Sequence, residues 1–239
     1  MMATMRYVQE GVTDDVSDAV GTLLSDNVLA RVDPVALAGP DEFRSEQLYR
    51  KEVDDVLRLH EPSLRVIFGA LQQRSGPAKK LLTFAAWSGF LRLLEFIHAD
   101  LSDRDATLAF VWSRTCVTEP HTERGRVRSK CLPFEGFMEA ITRVACLKAL
   151  PTDELLSSSG VAHAGLYMAD LRRNHPAVHS SFVEERRTVW GQSPKQPVER
   201  CLHHCLCLIV HTIEVSVSKS GGENLQVSES EMTRFLTVK

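Results

Sequence analysis

The sequence lacks several features that would place it in a familiar functional class. Its first residues have neither the basic flank nor the apolar stretch of a secretion signal, and no run approaches the roughly 18 to 20 apolar residues of a membrane span. It contains no glycine-rich phosphate loop and no HExxH zinc pattern. The six cysteines are expected to stay reduced, because a secretion signal is missing. We therefore expect a cytosolic protein without disulfides and without membrane contact.

What is present is typical of a folded globular protein. The chain of 239 residues is 44% apolar and 25% charged, with a formal net charge of −3. That length is sufficient for one large domain or two small ones with a sizeable core. Apolar residues recur mostly at helical spacing, which predicts an all-α fold.

Two segments between residues 61 and 150 repeat one plan: an apolar helix, a basic loop, a short apolar run and a second apolar helix. In the first segment, Pro62 suits the first turn of the helix that ends before the loop RSGPAKK. Leu81 and Leu82 could form a short strand. The helix that follows presents Trp87 and Phe90 on one face.

The second segment repeats these parts with a longer loop. Its first helix can be capped by Ser102 or Asp103, and its loop reads EPHTERGRVRSK. Pro133 marks the start of the second helix, along which Phe134 and Phe137 lie on the expected buried face. The spacing of these two aromatic residues matches that of the aromatic pair in the first segment.

A helix, loop, short strand and helix used twice is the layout of a paired EF-hand, so the calcium ligands are the test. We place Leu82 and Leu132 at the central apolar position of two loops of about 12 residues. The positions that should carry oxygen donors are then Ser75, Pro77, Lys79 and Ala86 in the first loop, and Gly125, Val127, Ser129 and Gly136 in the second. Calcium takes roughly six to eight oxygen ligands, including a final bidentate glutamate. Neither loop supplies that set, so we expect no calcium binding and no metal at the loops.

A nearby acidic triplet does not supply a calcium loop either. Asp100, Asp103 and Asp105 are not followed by a glycine where the loop would have to turn, and the final ligand position falls on Arg114. We interpret these carboxylates as helix caps that also favour the positive end of the helix dipole.

The run LLTFAAWSGFLRLLEFIHADLSDRDATLAFVWSR, closed by LPFEGFMEAITRVACLKAL, resembles the degenerate, calcium-free EF-hand-like modules of proteins in eukaryotic cilia and flagella. In those modules a characteristic phrase of apolar residues, glutamate and arginine ends the second half. Here it consists of Leu132, Phe134, Phe137, Met138, Glu139, Ala140, Ile141 and Arg143. The resemblance covers residues 61–150. It implies a structural role in the axoneme that involves tubulin, such as that of a microtubule inner protein, and it names no catalytic residues.

The chain on either side of this pair is predicted to be helical. Residues 1–60 form an N-terminal helical arm with helices from Thr13 and from Asp41. Residues 61–150 form the EF-hand-like pair, and residues 151–239 form a C-terminal helical extension. In that extension a long helix starts near Pro197, although its β-branched end leaves a strand as an alternative. Ser228 can cap a last short helix.

Basic side chains stand in both loops where a calcium sensor would be acidic. They are Lys79, Lys80, Arg124, Arg126, Arg128 and Lys130. In the second loop they alternate with smaller residues, so an extended backbone would direct them to one side. Nucleic acid fits the charge, but no aromatic residue is interleaved to stack on bases. We therefore expect an acidic protein surface such as tubulin as the partner, with a solvated loop as the alternative interpretation.

A cysteine- and histidine-rich segment suggests zinc at first sight. Cys201, His204, Cys205 and His211 lie close together in sequence, and some can share a helix face. Structural zinc sites normally gather their ligands from two short knuckles, which this single helical segment does not provide. We expect buried cysteines and ordinary histidines, with metal binding at Cys201, His204 and Cys205 as the alternative.

No pattern indicates catalysis or a cofactor. Cys146 lies on a predicted buried face without a paired base, and Glu135 and Glu139 are expected to share a solvated helix face. We expect a non-catalytic structural protein of the cytoskeleton, placed in the cilium or flagellum by the resemblance, with tubulin and other axonemal proteins as partners. The alternatives are a calcium-responsive EF-hand regulator and a metal-dependent enzyme that uses the cysteine- and histidine-rich helix.

Overall fold

The computed structural model describes residues 8, 10–11, 15–31, 40–76, 80–217 and 226–238. The chain divides into two compact units, Met1–Gly39 and Pro40–Lys239. Helices dominate the described residues, which contain two isolated β-bridges and no strand, so the all-α prediction is confirmed.

The described residues of the first unit include a helix with an irregular end. Helix α1, Val16–Leu23, is capped by Asp15, whose carboxylate accepts a hydrogen bond from the Ser17 N–H at 3.2 Å. It continues as a π-helical turn, Leu24–Val28, and a 3₁₀ turn, Leu29–Arg31. Thr13, the predicted cap, lies outside the described residues.

The second unit contains the remaining helices, one of which is preceded by a π-helical turn at Arg44–Leu48. They are α2 Pro40–Phe43, α3 Lys51–Gln73, α4 Phe84–Leu93, α5 Asp103–Trp112, α6 Glu123–Arg128, α7 Phe134–Leu147, α8 Asp153–Ser159, α9 Ala164–Asn174, α10 Pro176–Arg186, α11 Val198–Val217 and α12 Glu229–Val238.

Helix α3 corrects two expectations about the N-terminal half. It begins at Lys51 and runs through Pro62, so the predicted helix start at Pro62 is wrong and the expected domain boundary after residue 60 falls inside a helix. A proline within a helix removes one backbone hydrogen bond. The helix tolerates this loss because Leu64, Ile67 and Leu71 bury one continuous face in the core.

Helix α7 is the centre of the second unit. Nearly every side chain from Gly136 to Leu147 is buried, and the helix packs against α3, α5 and α11. Phe137 is fully buried. Its ring lies edge-on to Trp87 of α4, with ring centroids 6.3 Å apart, and is tilted against Phe68 of α3, with ring centroids 5.4 Å apart. The helix is therefore surrounded by other helices, as expected for an element with apolar residues on several faces.

The C-terminal helices share this core. Helix α11 packs against α3, α7, α9 and α12, and it stays helical through Val217, so the strand alternative is wrong. Ser228 and Glu231 form a reciprocal cap at the start of α12, as predicted for Ser228. Met232 and Phe235 of α12 are buried in the same core. In the part of the chain described here, no helix is both long and apolar enough to cross a bilayer.

Candidate functional site

The two loops that follow α3 and α5 meet at one backbone contact. The Leu82 N–H donates to the Leu132 carbonyl at 2.8 Å, and the Leu132 N–H donates to the Leu82 carbonyl at 2.9 Å. Both leucines are fully buried. Each directly precedes the cap of a helix, Thr83 for α4 and Pro133 for α7. The bridge therefore fixes the two loops, and the helices that leave them, in one register.

The bridge pairs the two leucines that the sequence analysis placed at the same central position of the two loops. With Leu82 aligned to Leu132, Trp87 takes the position of Phe137. The aligned residue Trp87 also donates its indole N–H to the Ala106 carbonyl of α5 at 3.0 Å, which satisfies its polar atom inside the core.

The first loop is closed by hydroxyl groups. Ser75 is buried, donates to the Leu71 carbonyl at 3.2 Å and accepts a hydrogen bond from the Thr83 N–H at 3.2 Å. The Thr83 hydroxyl in turn accepts from the Ala86 N–H at 3.4 Å. Ser75 and Ala86 occupy the expected first and last ligand positions. Neither carries a charge: the Ser75 hydroxyl bonds to Leu71 and Thr83, and the Ala86 N–H bonds to Thr83. Pro77 and Lys79 lie outside the described residues.

The second loop contains an additional helix, α6. Thr122 caps it by accepting from the Gly125 N–H at 2.9 Å. A Cβ atom at Gly125 would lie 1.7 Å from the Glu119 carbonyl oxygen, so only glycine fits this turn. At the last ligand position, a Cβ at Gly136 would lie 2.7 Å from the Ser113 carbonyl oxygen. A bidentate glutamate therefore has no space at this position.

The helical conformation of α6 corrects the expected geometry of the basic residues. Arg124 and Arg128 are one turn apart and lie on one side of the helix, whereas Arg126 lies about 200° from Arg124 around the axis. Arg126 donates to the His121 carbonyl at 3.1 Å. The prediction of an extended segment with all its cations on one side is therefore wrong. The cations instead surround a short, exposed helix.

The basic residues of both loops nevertheless lie at the same end of the helical core. Lys80, Arg124, Arg126, Arg128 and Lys130 are exposed, and Lys79 lies outside the described residues. Helix α6 lies beside the first loop, since one shallow depression is lined by Ser75 and Thr83 from that loop and by Arg126, Val127 and Lys130 from the second. Val127 is 40% exposed, which places an apolar side chain among the cations.

The acidic triplet has three separate roles, only two of which match the cap interpretation. Asp105 forms a reciprocal cap with Ser102, and Asp103 lies in the first turn of α5, 2.5 Å from Arg92. Asp100 does not cap α5. It is buried, pairs with Lys148 at 2.9 Å and accepts from the Ala149 N–H at 3.1 Å, so it fixes the end of α7.

The two glutamates of α7 differ in burial, contrary to the prediction that both lie on a solvated helix face. Glu135 is exposed, but Glu139 is buried rather than on a solvated face. Its carboxylate lies 2.8 Å from Arg143 on the same helix and 2.9 Å from Arg44 in the turn after α2. Arg44 also donates to the Trp112 carbonyl at 3.1 Å. This buried ion network joins the residues before α3 to the end of α5 and to α7.

The cysteines beside α7 have the properties of inert core residues. Cys146 is hydrogen-bonded to Cys201, and this bond together with burial raises the pKa of the Cys146 thiol well above its usual range. Burial raises the pKa of Cys205 to about 12. Thiols are nucleophilic as thiolates, so these protonated side chains are poor nucleophiles.

His204 and His211 also fail to join those cysteines in a metal site. Burial lowers the pKa of His204 to about 4, and its Nε2 lies 3.2 Å from the Asp153 carboxylate. His211 instead lies edge-on to His163, with ring centroids 5.5 Å apart. Among the described residues, the side chains close enough to share a metal ion are His60, His203 and Cys207, a set that the sequence analysis did not consider.

A cleft lies between α9, α10 and α11, and no sequence pattern indicated it. It has a volume of about 960 Å³, with Met168, Val183 and Leu208 among its apolar lining. Its rim is charged, but the ion pairs Asp100–Lys148 and Glu95–Arg172 neutralise part of that charge. The cleft could hold a small apolar molecule. The hydroxyls of Ser180, Thr212 and Ser216 in its lining donate to backbone carbonyls of their own helices.

Comparison of this chain with protein-family models, with curated proteins and with solved structures found no match in any of the three.

Proposed function

We propose that this protein is a calcium-independent, non-catalytic scaffold protein of the ciliary or flagellar axoneme. It binds an acidic protein surface, with tubulin as the first candidate, through the basic loops of a degenerate EF-hand-like pair. The observation that carries this proposal is the antiparallel contact between Leu82 and Leu132, which joins two helix–loop–helix units through loops that lack the calcium ligands.

The joined loops support the EF-hand-like interpretation. In a paired EF-hand, two helix–loop–helix units lie side by side and their loops touch through a short antiparallel contact of apolar residues. Helices α3 and α4 flank the first loop here, and α5 and α7 flank the second. Contacts between α3 and α7 and between α4 and α5 connect the two helix–loop–helix units in a single core. The ciliary family resemblance of the same residues supports the axonemal assignment.

The chemistry of the loops supports independence from calcium. Calcium sites depend on carboxylates, above all on a final glutamate that binds with both oxygens. Ala86 and Gly136 stand at that position, and the Ser75 hydroxyl is engaged within its own loop. The contact that calcium would organise is therefore held by hydrogen bonds of the protein itself.

The charge at this end of the molecule supports an acidic partner. The two loops carry five exposed cations, Lys80, Arg124, Arg126, Arg128 and Lys130. Of these, Arg126 and Lys130 line the same depression as the exposed side chain of Val127, together with Glu123. A single exposed ion pair contributes about 0–1 kcal/mol, so useful affinity requires several pairs at once. Binding of this kind should weaken as salt is added, because exposed charges are screened.

Microtubule co-pelleting tests the proposal. We expect the wild-type chain to pellet with microtubules at low salt and to be released at high salt. The variant R124E/R126E/R128E/K130E should lose most of this binding, and K79E/K80E should reduce it further. A matched control reverses four exposed cations elsewhere, R58E/R104E/R173E/R187E, and should keep most of the binding because these residues are outside the two loops.

Three results would count against the proposal. If the loop variant and the control lose binding equally, net charge rather than the loops is responsible. If the wild-type chain does not pellet with microtubules at all, tubulin is rejected as the partner. Calorimetry that detects calcium binding at micromolar concentration would reject calcium independence and favour a calcium-responsive regulator instead.

A further inference from the structure

Three side chains with metal-binding atoms converge between α3 and α11. His60 projects from α3, while His203 and Cys207 lie one turn apart on α11. Nε2 of His60 lies 3.1 Å from Nδ1 of His203, and Sγ of Cys207 lies 3.7 Å from Nε2 of His203. One ligand atom from each residue can be chosen so that all three lie within 4.8 Å of one another.

The two short contacts use opposite nitrogens of the His203 ring, whereas one metal ion would bind only one of them. Zinc binds histidine nitrogen at about 2.0–2.1 Å and cysteine sulfur at about 2.3 Å, which puts neighbouring ligand atoms roughly 3.3–3.6 Å apart. Rotation of the His203 ring or of the Cys207 side chain would have to bring the three ligand atoms, which lie within 4.8 Å of one another, to that spacing.

The protonation states of the two histidines also suit a metal. Burial lowers the pKa of His60 to about 4 and lowers the pKa of His203, so both imidazoles are neutral near pH 7 and offer lone pairs. Burial raises the pKa of Cys207 to about 11, although the nearby Arg200 guanidinium favours the thiolate. A metal ion would therefore displace the thiol proton, which passes to solvent when the metal–sulfur bond forms.

The cluster is buried except at His203. His60 and Cys207 are buried, whereas His203 is partly exposed and gives access from solvent. A hydrogen bond between two neutral histidines would by itself explain the 3.1 Å contact of His60 with His203. It does not explain why the Cys207 thiol lies beside the other nitrogen of the His203 ring.

We propose that His60, His203 and Cys207 bind one borderline-soft transition-metal ion, Zn²⁺ or Cu⁺, with a water molecule or a further ligand in the remaining position. The site is independent of the proposed partner surface, because its residues lie on α3 and α11 rather than in the basic loops. A bound ion would link α3 directly to α11, and its binding energy would stabilise the folded state.

Cobalt titration of the purified, chelator-treated full chain tests the site. Co²⁺ bound to a thiolate gives a sulfur-to-metal charge-transfer band, and we expect this band to saturate at one ion per chain and to disappear on addition of Zn²⁺. The titration uses a Cys116→Ala background, because Cys116 is the exposed thiol. Cys207→Ser should abolish the band, and His60→Gln or His203→Gln should weaken binding by at least about 100-fold.

The matched control changes neighbouring residues of the same types on the same helix. Cys201→Ser and His204→Gln should keep the band and its saturation point. Zinc should also raise the Tm of the wild-type chain and of these controls, but not that of Cys207→Ser.

A band that persists in Cys207→Ser, or that is lost in the Cys201→Ser and His204→Gln controls, would overturn the assignment. If Cys207→Ser does not fold, elemental analysis still decides the question. A wild-type chain that retains no zinc after dialysis against one equivalent would reject the site.

Discussion

At the scale of single residues, the buried carboxylate of Glu139 leads to the largest expected effect of one substitution. It contacts the guanidinium groups of Arg143 at 2.8 Å and of Arg44 at 2.9 Å. Glu139→Ala removes the carboxylate from one buried and one partly buried guanidinium, and a broken buried pair costs about 3–5 kcal/mol. Urea unfolding followed by circular dichroism should show this loss in the free energy of unfolding.

Glu135→Ala serves as the control for that substitution. Glu135 is exposed one turn earlier on the same helix, so its replacement should change stability by no more than about 0.5 kcal/mol. Equal effects of the two substitutions would mean that the ion network contributes nothing beyond helix propensity.

The contrast between these two glutamates shows where sequence reasoning ends at this scale. Residues four apart share a helix face, so the pattern alone placed both on one solvated side. The partner that separates them is Arg44, which lies 95 positions earlier in the chain. Asp100 was misjudged for the same reason, since its partner Lys148 lies 48 positions later. Local patterns contain no information about such distant contacts.

At the scale of helices, the contact between α9 and α11 depends on a glycine. A Cβ atom at Gly165 would lie 2.4 Å from Cβ of His211 and 2.9 Å from the Cys207 carbonyl oxygen. Gly165→Ala should therefore force the two helices apart and destabilise the protein by about 1–3 kcal/mol. Thermal unfolding would show this as a lower Tm.

Gly69→Ala is the matched substitution within a helix. Gly69 lies inside α3, and a Cβ atom there would meet nothing within 4 Å. Because alanine is the better helix former, this change should stabilise the protein by about 0.5–1 kcal/mol. If both substitutions move the Tm in the same direction, helix propensity rather than close packing controls the effect at Gly165.

Helix ends were the most predictable elements, because the signals that form them are local. Ser102, one of the two residues expected to cap α5, and Ser228, the expected cap of α12, both cap these helices. Helix α6 was missed, because the alternating charges were interpreted as an extended segment. Thr122 before Glu123 is a cap signal that could have predicted it.

At the scale of the whole molecule, the periodicity predicted an all-α fold but not which helices meet. The C-terminal segment was expected to be an extension, yet α12 packs on α3 and α11. The Val227 N–H donates to the Ser63 hydroxyl of α3 at 3.1 Å, which fixes the start of this contact. Ser63 gives no sequence signal for such a role, because its partner is 164 positions away.

The packing of α12 against α11 makes the stability of the protein depend on pH through Glu214. Burial between the packed helices, with a smaller contribution from Glu231 of α12, raises the pKa of Glu214 on α11 to about 7. The pKa of glutamate in an unfolded chain is about 4.3. Between this value and the pKa of the folded state, Glu214 is protonated in the folded chain and ionised in the unfolded chain. Stability from this group is therefore present at low pH and is lost as the pH rises through about 7, the pKa of the folded state.

Glu214→Gln should remove that dependence, because glutamine stays neutral at every pH. At pH 8 we expect the variant to be more stable than the wild-type chain by about 1 kcal/mol, a value reduced for solvent screening, and at pH 5 the two should be nearly equal. Glu229→Gln, at an exposed position on α12, should change neither value appreciably. Urea unfolding at both pH values in the presence of a chelator makes the comparison. A Glu214→Gln variant that is less stable than the wild-type chain at pH 8 would show that the carboxylate is ionised and stabilised in the folded state.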